Sequence, residues 1–144
     1  MTPTELDSAI ADALGPFSEV AAAWLFGSEA RGESHSGSDL DVALLLRAPV
    51  SDAGETADLL GRIGAQLERV APGRPIDVVL IESQGPVFQH RVLAEGRLAY
   101  QADARRRVDF ESDAYVRYFD FYPTHALAAR HALSGFHSWL DGRR

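Results

Sequence analysis

The chain has no cysteine, so it can form neither a disulfide nor a thiolate metal site. It also lacks any apolar run near the roughly 20 residues that a membrane-spanning helix needs. The N-terminus has no basic segment followed by an apolar one, so no signal peptide is predicted. Together these absences predict a cytoplasmic protein that does not bind a membrane.

Basic residues are in short supply, with 14 Lys and Arg against 21 Asp and Glu, and the formal net charge is −7. Broad binding to a nucleic-acid backbone requires a basic surface, so no direct nucleic-acid binding is expected. A nucleotide held through metal ions remains compatible with this charge. An acidic surface would suit a basic protein partner, although solubility alone explains the charge equally well.

The length of 144 residues and the apolar fraction of 46% suit one folded domain of ordinary size. We predict a single α/β (or α+β) domain over residues 1–144, in which helices pack on a mixed, twisted sheet. The core is expected at about residues 17–101. A C-terminal helical extension is expected at about residues 103–140 and should close one side of the sheet.

Apolar patterns place the secondary structure within this domain. Buried strands are predicted at 20–26, 39–46 and 76–81, with a short edge strand at 97–101. Helices are predicted from Thr2 to Leu14, with a capping box that includes Glu5, and then at about 53–70 and 86–95. The C-terminal segment is helical in pattern from Asp103 to Trp139, and Pro123 is expected to divide it.

A glycine-bounded turn, Gly27-Ser28-Glu29-Ala30-Arg31-Gly32, follows the first predicted strand. Gly27 would let the backbone approach a phosphate closely, because only a residue without a Cβ does so without strain. Ser28 offers a hydroxyl and a backbone N–H to the same oxygens, at the predicted start of a short helix that favours negative charge. Arg31 would brace the turn or reach a phosphate. A glycine–serine pair after a strand is also commonly no more than a turn.

Two aspartates, Asp39 and Asp41, open the second predicted strand. Side chains at i and i+2 of a strand point to one face, so these carboxylates repel each other unless a cation lies between them. Mg²⁺ takes oxygen ligands of this kind and usually shares them with substrate phosphates. The alternative is a solvated pair of carboxylates, which the apolar strand beside them makes less favourable.

A third aspartate, Asp77, interrupts the apolar run at 76–81. A buried carboxylate without a partner costs several kcal/mol, so Asp77 is expected to have one. If its strand lies beside the second strand, Asp77 joins Asp39 and Asp41 in a cluster of three carboxylates. A salt bridge from Asp77 to Arg74, or to another nearby arginine, is the alternative.

The combination is more specific than its parts. Seven specified residues at fixed spacing would arise by chance about once in 10⁹ start positions at average residue usage. These residues are Gly27, Ser28, Arg31, Gly32, Ser38, Asp39 and Asp41. A turn that cradles phosphates and carboxylates that bind metal are what two-metal nucleotidyl transfer requires.

The glycine turn followed by Ser38-Asp39-Leu40-Asp41 resembles the signature of the polymerase-β-like nucleotidyltransferase superfamily, and the small size resembles its minimal nucleotidyltransferase (MNT) branch. The resemblance implies that Asp39 and Asp41 bind Mg²⁺, with two ions at the site. It also implies that Asp77 assists them as a third catalytic and metal-binding carboxylate, and acts on the attacking hydroxyl. Gly27, Ser28 and Arg31 are then the candidates for nucleotide binding.

The C-terminal third, from Arg105 to Glu111, Tyr115, and Tyr118 to Pro123, resembles the tail of MntA-type antitoxins of HEPN/MNT toxin–antitoxin pairs. This resemblance implies transfer of AMP from ATP to a tyrosine hydroxyl of a HEPN ribonuclease toxin, which is silenced, and a hetero-oligomer with that toxin. Two other functions remain open. One is modification of an antibiotic by a small-molecule nucleotidyltransferase, and the other is a non-catalytic antitoxin that acts by occlusion.

The C-terminal segment also leaves two structural questions open. Most aromatic residues of the chain fall between Phe110 and Trp139, which is typical of a helix packed in the core and also of a partner-binding face. Tyr115, Phe119 and Tyr122 are spaced to share one helix face. The arginines 105–107 would form a solvated surface, grip an acidic patch or reach a nucleotide phosphate.

Overall fold

The computed structural model describes residues 1–35, 37–49 and 51–132. Within these residues the chain forms five α-helices and four strands. In order they are α1 (Pro3–Leu14), β1 (Val20–Phe26), α2 (Ser28–Arg31), β2 (Leu40–Leu46), α3 (Ala53–Val70), β3 (Ile76–Leu80), α4 (Pro86–Glu95), β4 (Arg97–Gln101) and α5 (Ala104–Ala132). In this described part of the chain, no helix is both long enough and apolar enough to span a membrane.

The four strands form one mixed sheet in the order β3-β2-β1-β4. β1 runs antiparallel to both β2 and β4, whereas β2 and β3 are parallel. A parallel pair needs a long crossover between its strands, and α3 supplies it. The mixed sheet with packed helices confirms the predicted α/β fold.

Alternate residues of β2 enter two different cores, one on each face of the sheet. Leu40, Val42 and Leu44 pack in the core on the side of α1 and α3. Ala43 and Leu45 pack in the core on the side of α4 and α5. The same alternation assigns the Asp41 side chain to the face covered by α4 and α5.

Helix α1 begins as the sequence predicts. The Thr2 hydroxyl accepts the Glu5 backbone N–H at 3.1 Å, and the Glu5 carboxylate accepts the Thr2 N–H at 2.7 Å. Leu6, Ile10 and Leu14 form its buried stripe, as their spacing of four residues predicts. The cap fixes the first turn of α1, and the stripe packs the helix against the sheet.

The prediction that Pro123 divides the C-terminal helix is wrong, since α5 is one helix from Ala104 to Ala132. A proline removes one backbone hydrogen bond, and this loss is small against the bonds that remain in a helix of 29 residues. The part of the predicted helix from 133 to Trp139 lies outside the described residues.

Candidate active site

The site is organised by a row of paired residues that crosses three strands. Asp41 of β2 pairs with Phe26 of β1 on one side and with Asp77 of β3 on the other. Paired residues of neighbouring strands point to the same face, so Asp41 and Asp77 lie side by side on the face of α4 and α5. The strand adjacency that a three-carboxylate cluster requires is therefore present.

The environment of Asp77 differs from the prediction, which placed it in a buried strand. β3 is an edge strand, paired on one side only with β2, and Asp77 is exposed. Its carboxylate keeps its hydration, so no buried partner is required. Arg74, the first partner considered for Asp77, pairs with Glu29 instead, and Asp77 forms no salt bridge with any arginine whose side chain the structure describes.

The carboxylates interact electrostatically. Burial raises the pKa of Asp41, and the negative charges of Asp77 and Asp39 raise it further, while Arg31 and Arg74 oppose this effect. Asp39 and Asp77 are thus close enough for their charges to act on Asp41. This concentration of negative charge at the start of β2 favours a bound cation.

The donor set suits Mg²⁺ as an open site rather than as a closed cage. Among the described residues, no group of three His, Cys, Asp or Glu side chains converges closely enough to hold a metal ion by itself. Mg²⁺ usually takes one or two carboxylates and completes its octahedral shell with water and substrate phosphates. The hard oxygens of Asp39 and Asp41, in reach of solvent, fit that manner of binding.

Gly27 lies directly against Asp41. Its backbone has φ 67° and ψ −143°, a conformation that side chains disfavour. A Cβ at this position would lie 2.3 Å from Oδ2 of Asp41, well inside contact distance. The glycine therefore lets the turn and the carboxylate strand approach each other, a reason that the sequence alone did not reveal.

The rest of the turn borders a cavity of about 150 Å³. Gly27 and Arg31 line it from the turn, and Phe88 and Arg91 line it from α4. Arg31 is half-exposed, and its Nε donates to the Glu33 carboxylate at 3.1 Å. Sequence reasoning missed Arg91, because one arginine on a short helix has the pattern of an ordinary solvated residue.

A buried network behind the turn was also missed. The Glu29 carboxylate accepts a hydrogen bond from Arg74 Nη1 at 2.9 Å and from the Ser34 hydroxyl at 3.3 Å. Arg97 Nη2 lies 3.8 Å from the same carboxylate. Glu29 is only 6% exposed. A charged residue inside the glycine turn, next to an apolar strand, was the available signal.

Two arginines of the C-terminal segment pair with acidic residues of this chain, and one of them, Arg106, connects α5 to the end of β2. Arg106 pairs with Glu82, and its Nε donates to the Leu46 carbonyl at 3.0 Å. Arg107 pairs with Glu111 at 2.8 Å. These two arginines therefore bind single acidic residues of this chain rather than an acidic patch.

The aromatic residues of α5 divide between the two predicted roles. Phe110 is buried and packs on Trp24, with ring centroids 6.4 Å apart. Tyr115 and Tyr118 both pack against His90 of α4. Phe119, in contrast, is 63% exposed. The side chain of Tyr122 lies outside the described residues, so its place on that face stays a prediction.

The raised pKa of Asp41 predicts that Asp41→Asn stabilises the metal-free protein at neutral pH. The folded state disfavours the charged form, so the stability linked to Asp41 is present at low pH and is lost as pH rises through its raised pKa. In chelator at pH 7, thermal unfolding should give a higher Tm for Asp41→Asn than for wild type. This difference should shrink toward pH 4, and a lower Tm at pH 7 would contradict the prediction.

The arrangement of the sheet, with a glycine turn beside its acidic strand, is that of a nucleotidyltransferase domain. Residues 8–105 match the family model described as "Polymerase beta, Nucleotidyltransferase". The match extends over more than half of the chain, so the chain belongs to this family of nucleotidyltransferases. A search of curated proteins found no match.

Solved structures share the fold over nearly the whole chain. One is described as a toxin–antitoxin with AMP-PNP, with 21% identity and a TM-score of 0.61 over 92% of this chain and 98% of that chain. Another is the tri-AMPylated HEPN toxin of Shewanella oneidensis in complex with its MNT antitoxin, with 20% identity and a TM-score of 0.58 over 95% and 99%. A third is the MntA–HepT toxin–antitoxin, with 17% identity and a TM-score of 0.55 over 92% and 97%. At these identities the similarity shows a common fold.

Proposed function

We propose that this chain is an antitoxin that transfers AMP from ATP to a tyrosine hydroxyl of a partner HEPN ribonuclease, with Mg²⁺ as cofactor. The observation that carries the proposal is the pairing of Asp41 with Asp77, beside Gly27, in a domain of the polymerase β nucleotidyltransferase family. The HEPN partner is proposed because the similar structures are toxin–antitoxin complexes, one of which contains a HEPN toxin with its MNT antitoxin.

In this proposal Asp39 and Asp41 hold the metal, and Asp77 contributes a third carboxylate. Bound there, Mg²⁺ would neutralise the triphosphate and stabilise the pyrophosphate that leaves. Gly27 and Ser28 would approach the β- and γ-phosphates with their backbone, and Arg31 would add positive charge from the adjoining cavity that it lines. The mutual repulsion of the aspartates supports this assignment, because a bound cation relieves it.

The transfer is a displacement at phosphorus. The tyrosine oxygen forms a bond to the α-phosphorus of ATP, and the bond from that phosphorus to the oxygen shared with the β-phosphate breaks. The pyrophosphate departs with the electron pair, and Asp77 accepts the tyrosine proton. The exposure of Asp77 at the sheet edge suits this role, because a hydroxyl carried by another protein can reach it.

The surface of α5 favours a protein as the acceptor. Val116 is 60% exposed and Phe119 is 63% exposed, although most large apolar residues of the described chain are at least half-buried. Exposed apolar side chains on one helix are typical of a surface that another protein covers.

The direct test incubates the protein with Mg²⁺, the product of the adjacent reading frame and ATP labelled at the α-phosphate. The partner should become labelled, whereas ATP labelled at the γ-phosphate should leave it unlabelled, since that phosphate departs with pyrophosphate. Tyrosine-to-phenylalanine variants of the partner should lose the label. Label from the γ-position would show phosphorylation, and neutralisation without either label would support occlusion.

We also expect Arg91 to contribute to ATP binding. It lines the cavity next to Gly27, and it has no ion pair or hydrogen bond with any other residue that the structure describes. Because one hydrogen bond to a charged group contributes about 1.5–3 kcal/mol, Arg91→Ala should raise the KM for ATP about tenfold or more. Arg69→Ala, on the exposed surface of α3, is the control and should leave KM unchanged. An unchanged KM in Arg91→Ala would remove this residue from the binding site.

A further inference from the structure

A buried ion pair joins the glycine turn to the segment that carries Asp39. Glu29 belongs to α2, directly after Gly27 and Ser28, and Arg74 lies just before β3. Their side chains are only 7% and 12% exposed. The pair therefore connects two parts of the site that are far apart in the chain.

Arg74 uses all three nitrogens of its guanidinium group. Nη1 donates to the Glu29 carboxylate at 2.9 Å, Nε donates to the Ser38 carbonyl at 2.7 Å, and Nη2 donates to the Asp39 carbonyl at 3.1 Å. The guanidinium group is planar and rigid, so these contacts set the position of the 38–39 backbone relative to Glu29. A lysine has one nitrogen and cannot reproduce them.

The 38–39 segment depends on this contact because it precedes the regular part of β2, which begins at Leu40. The Leu40 N–H donates to the Pro75 carbonyl at 2.8 Å, which is the next connection toward β3. Upstream of Leu40, the described contacts of this segment with the region before β3 are those of Arg74. Removing them would free the backbone of Asp39 while leaving the strands paired.

We propose that the Glu29–Arg74 pair is a positioning device that sets the Asp39 carboxylate relative to the glycine turn. This inference rests on the proposed function, in which the turn approaches the phosphates and Asp39 holds the metal. Transfer requires the phosphate site and the metal site to keep a fixed position relative to each other. The Glu29–Arg74 pair maintains this relative position from outside the reacting centre. In this proposal both residues act through Asp39 and Gly27 and not on the substrate itself.

Arg106 provides a matched comparison, since it also joins distant parts of the chain, but its described contacts lie outside the glycine turn and the 38–39 segment. It pairs with Glu82, and its Nε donates to the Leu46 carbonyl at 3.0 Å. Arg106→Lys should therefore lower stability as Arg74→Lys does, without releasing Asp39. The two variants separate a loss of positioning from a loss of stability.

The experiment compares Arg74→Lys and Arg106→Lys in the full chain. For Arg74→Lys, kcat for AMP transfer should fall about 10–100-fold while the KM for ATP changes little, because a partner that orients a metal ligand has effects of this size. Backbone amide hydrogens at 37–40 should exchange with solvent faster than in wild type. Mn²⁺ bound at the site should broaden the NMR signal of the Asp39 amide, and in Arg74→Lys the same broadening should require a higher Mn²⁺ concentration. Arg106→Lys should keep kcat and the Asp39 signal close to those of wild type.

The inference is overturned if Arg74→Lys, folded at the assay temperature, keeps wild-type kcat and wild-type exchange at 37–40. It is also overturned if Arg106→Lys loses as much kcat as Arg74→Lys at equal stability. Glu29→Gln, which keeps the shape of the side chain and removes its charge, gives a second variant with the same expected direction. Amide exchange and Mn²⁺ broadening need no acceptor, so they test the positioning even if wild type transfers no AMP and the proposed function fails.

Discussion

Replacing Asp39 and Asp41 together by asparagine is expected to lower the rate of AMP transfer by a factor on the order of 10³ or more, since metal stabilisation of the transition state contributes several kcal/mol. Asparagine keeps the size of aspartate but removes both negative charges. The burial and the neighbouring carboxylates that raise the pKa of Asp41 show that its charge is disfavoured in the metal-free fold. A site with this unfavourable charge is suited to a cation that compensates it.

The measurement is the initial rate of label transfer from α-labelled ATP to the partner. Asp12→Asn is the control, because Asp12 is exposed on α1, on the opposite face of the sheet, and should transfer at the wild-type rate. Asp77→Asn alone should lose about 10²- to 10⁴-fold, the usual contribution of a general base. If the double variant neutralises the partner as well as wild type does, the catalytic proposal fails and occlusion explains the antitoxin activity.

The second large effect is expected from Gly27→Ala, which should lower both stability and transfer. Its φ of 67° is strained for alanine, and the new Cβ would lie 2.3 Å from Oδ2 of Asp41. Strain of this kind costs about 1–3 kcal/mol. Relief of the clash must move Asp41, and a shift of about 1 Å in a reacting geometry can lower the rate about 10²-fold.

Thermal unfolding and transfer rates on the same preparations separate these two effects. Gly64→Ala is the matched control, since a Cβ at Gly64, within α3, would meet no atom within 4 Å. That substitution should raise stability by up to about 1 kcal/mol, the helix-propensity difference between the two residues, and leave transfer unchanged. A Gly27→Ala protein with normal transfer would show that Asp41 need not hold the position it has in the metal-free fold.

Local signals were enough to place most of the secondary structure. The capping box at Thr2 and Glu5, the apolar run of β1 and the stripe of α3 lie within single elements, so propensity and periodicity describe them completely. Pro123 shows the limit of a local rule. The rule predicts that a helix ends at an interior proline because one hydrogen bond is lost there. It does not take into account the other hydrogen bonds of a long helix, and α5 continues through Pro123.

The candidate site was predictable to the extent that its parts are close in the chain. Gly27, Ser28, Asp39 and Asp41 lie within one strand–turn–strand unit, and their spacing carries the resemblance to the nucleotidyltransferases. Asp77 was suspected as an isolated charge in an apolar run. Its exposure was not predicted, because a run of apolar residues does not reveal whether the strand lies at the edge of the sheet or between two other strands.

The sequence by itself therefore determined the class of protein and the two aspartates at the start of β2, since short-range spacing encodes them. Only the tertiary structure decided that Asp77 pairs with Asp41, that Asp41 lies over Gly27, and that Arg74 binds Glu29 rather than Asp77. The physical reason is chain separation. The contact from Arg74 to the Ser38 carbonyl spans 36 residues, with α3 between them, so it exists only once the β2–α3–β3 crossover has formed.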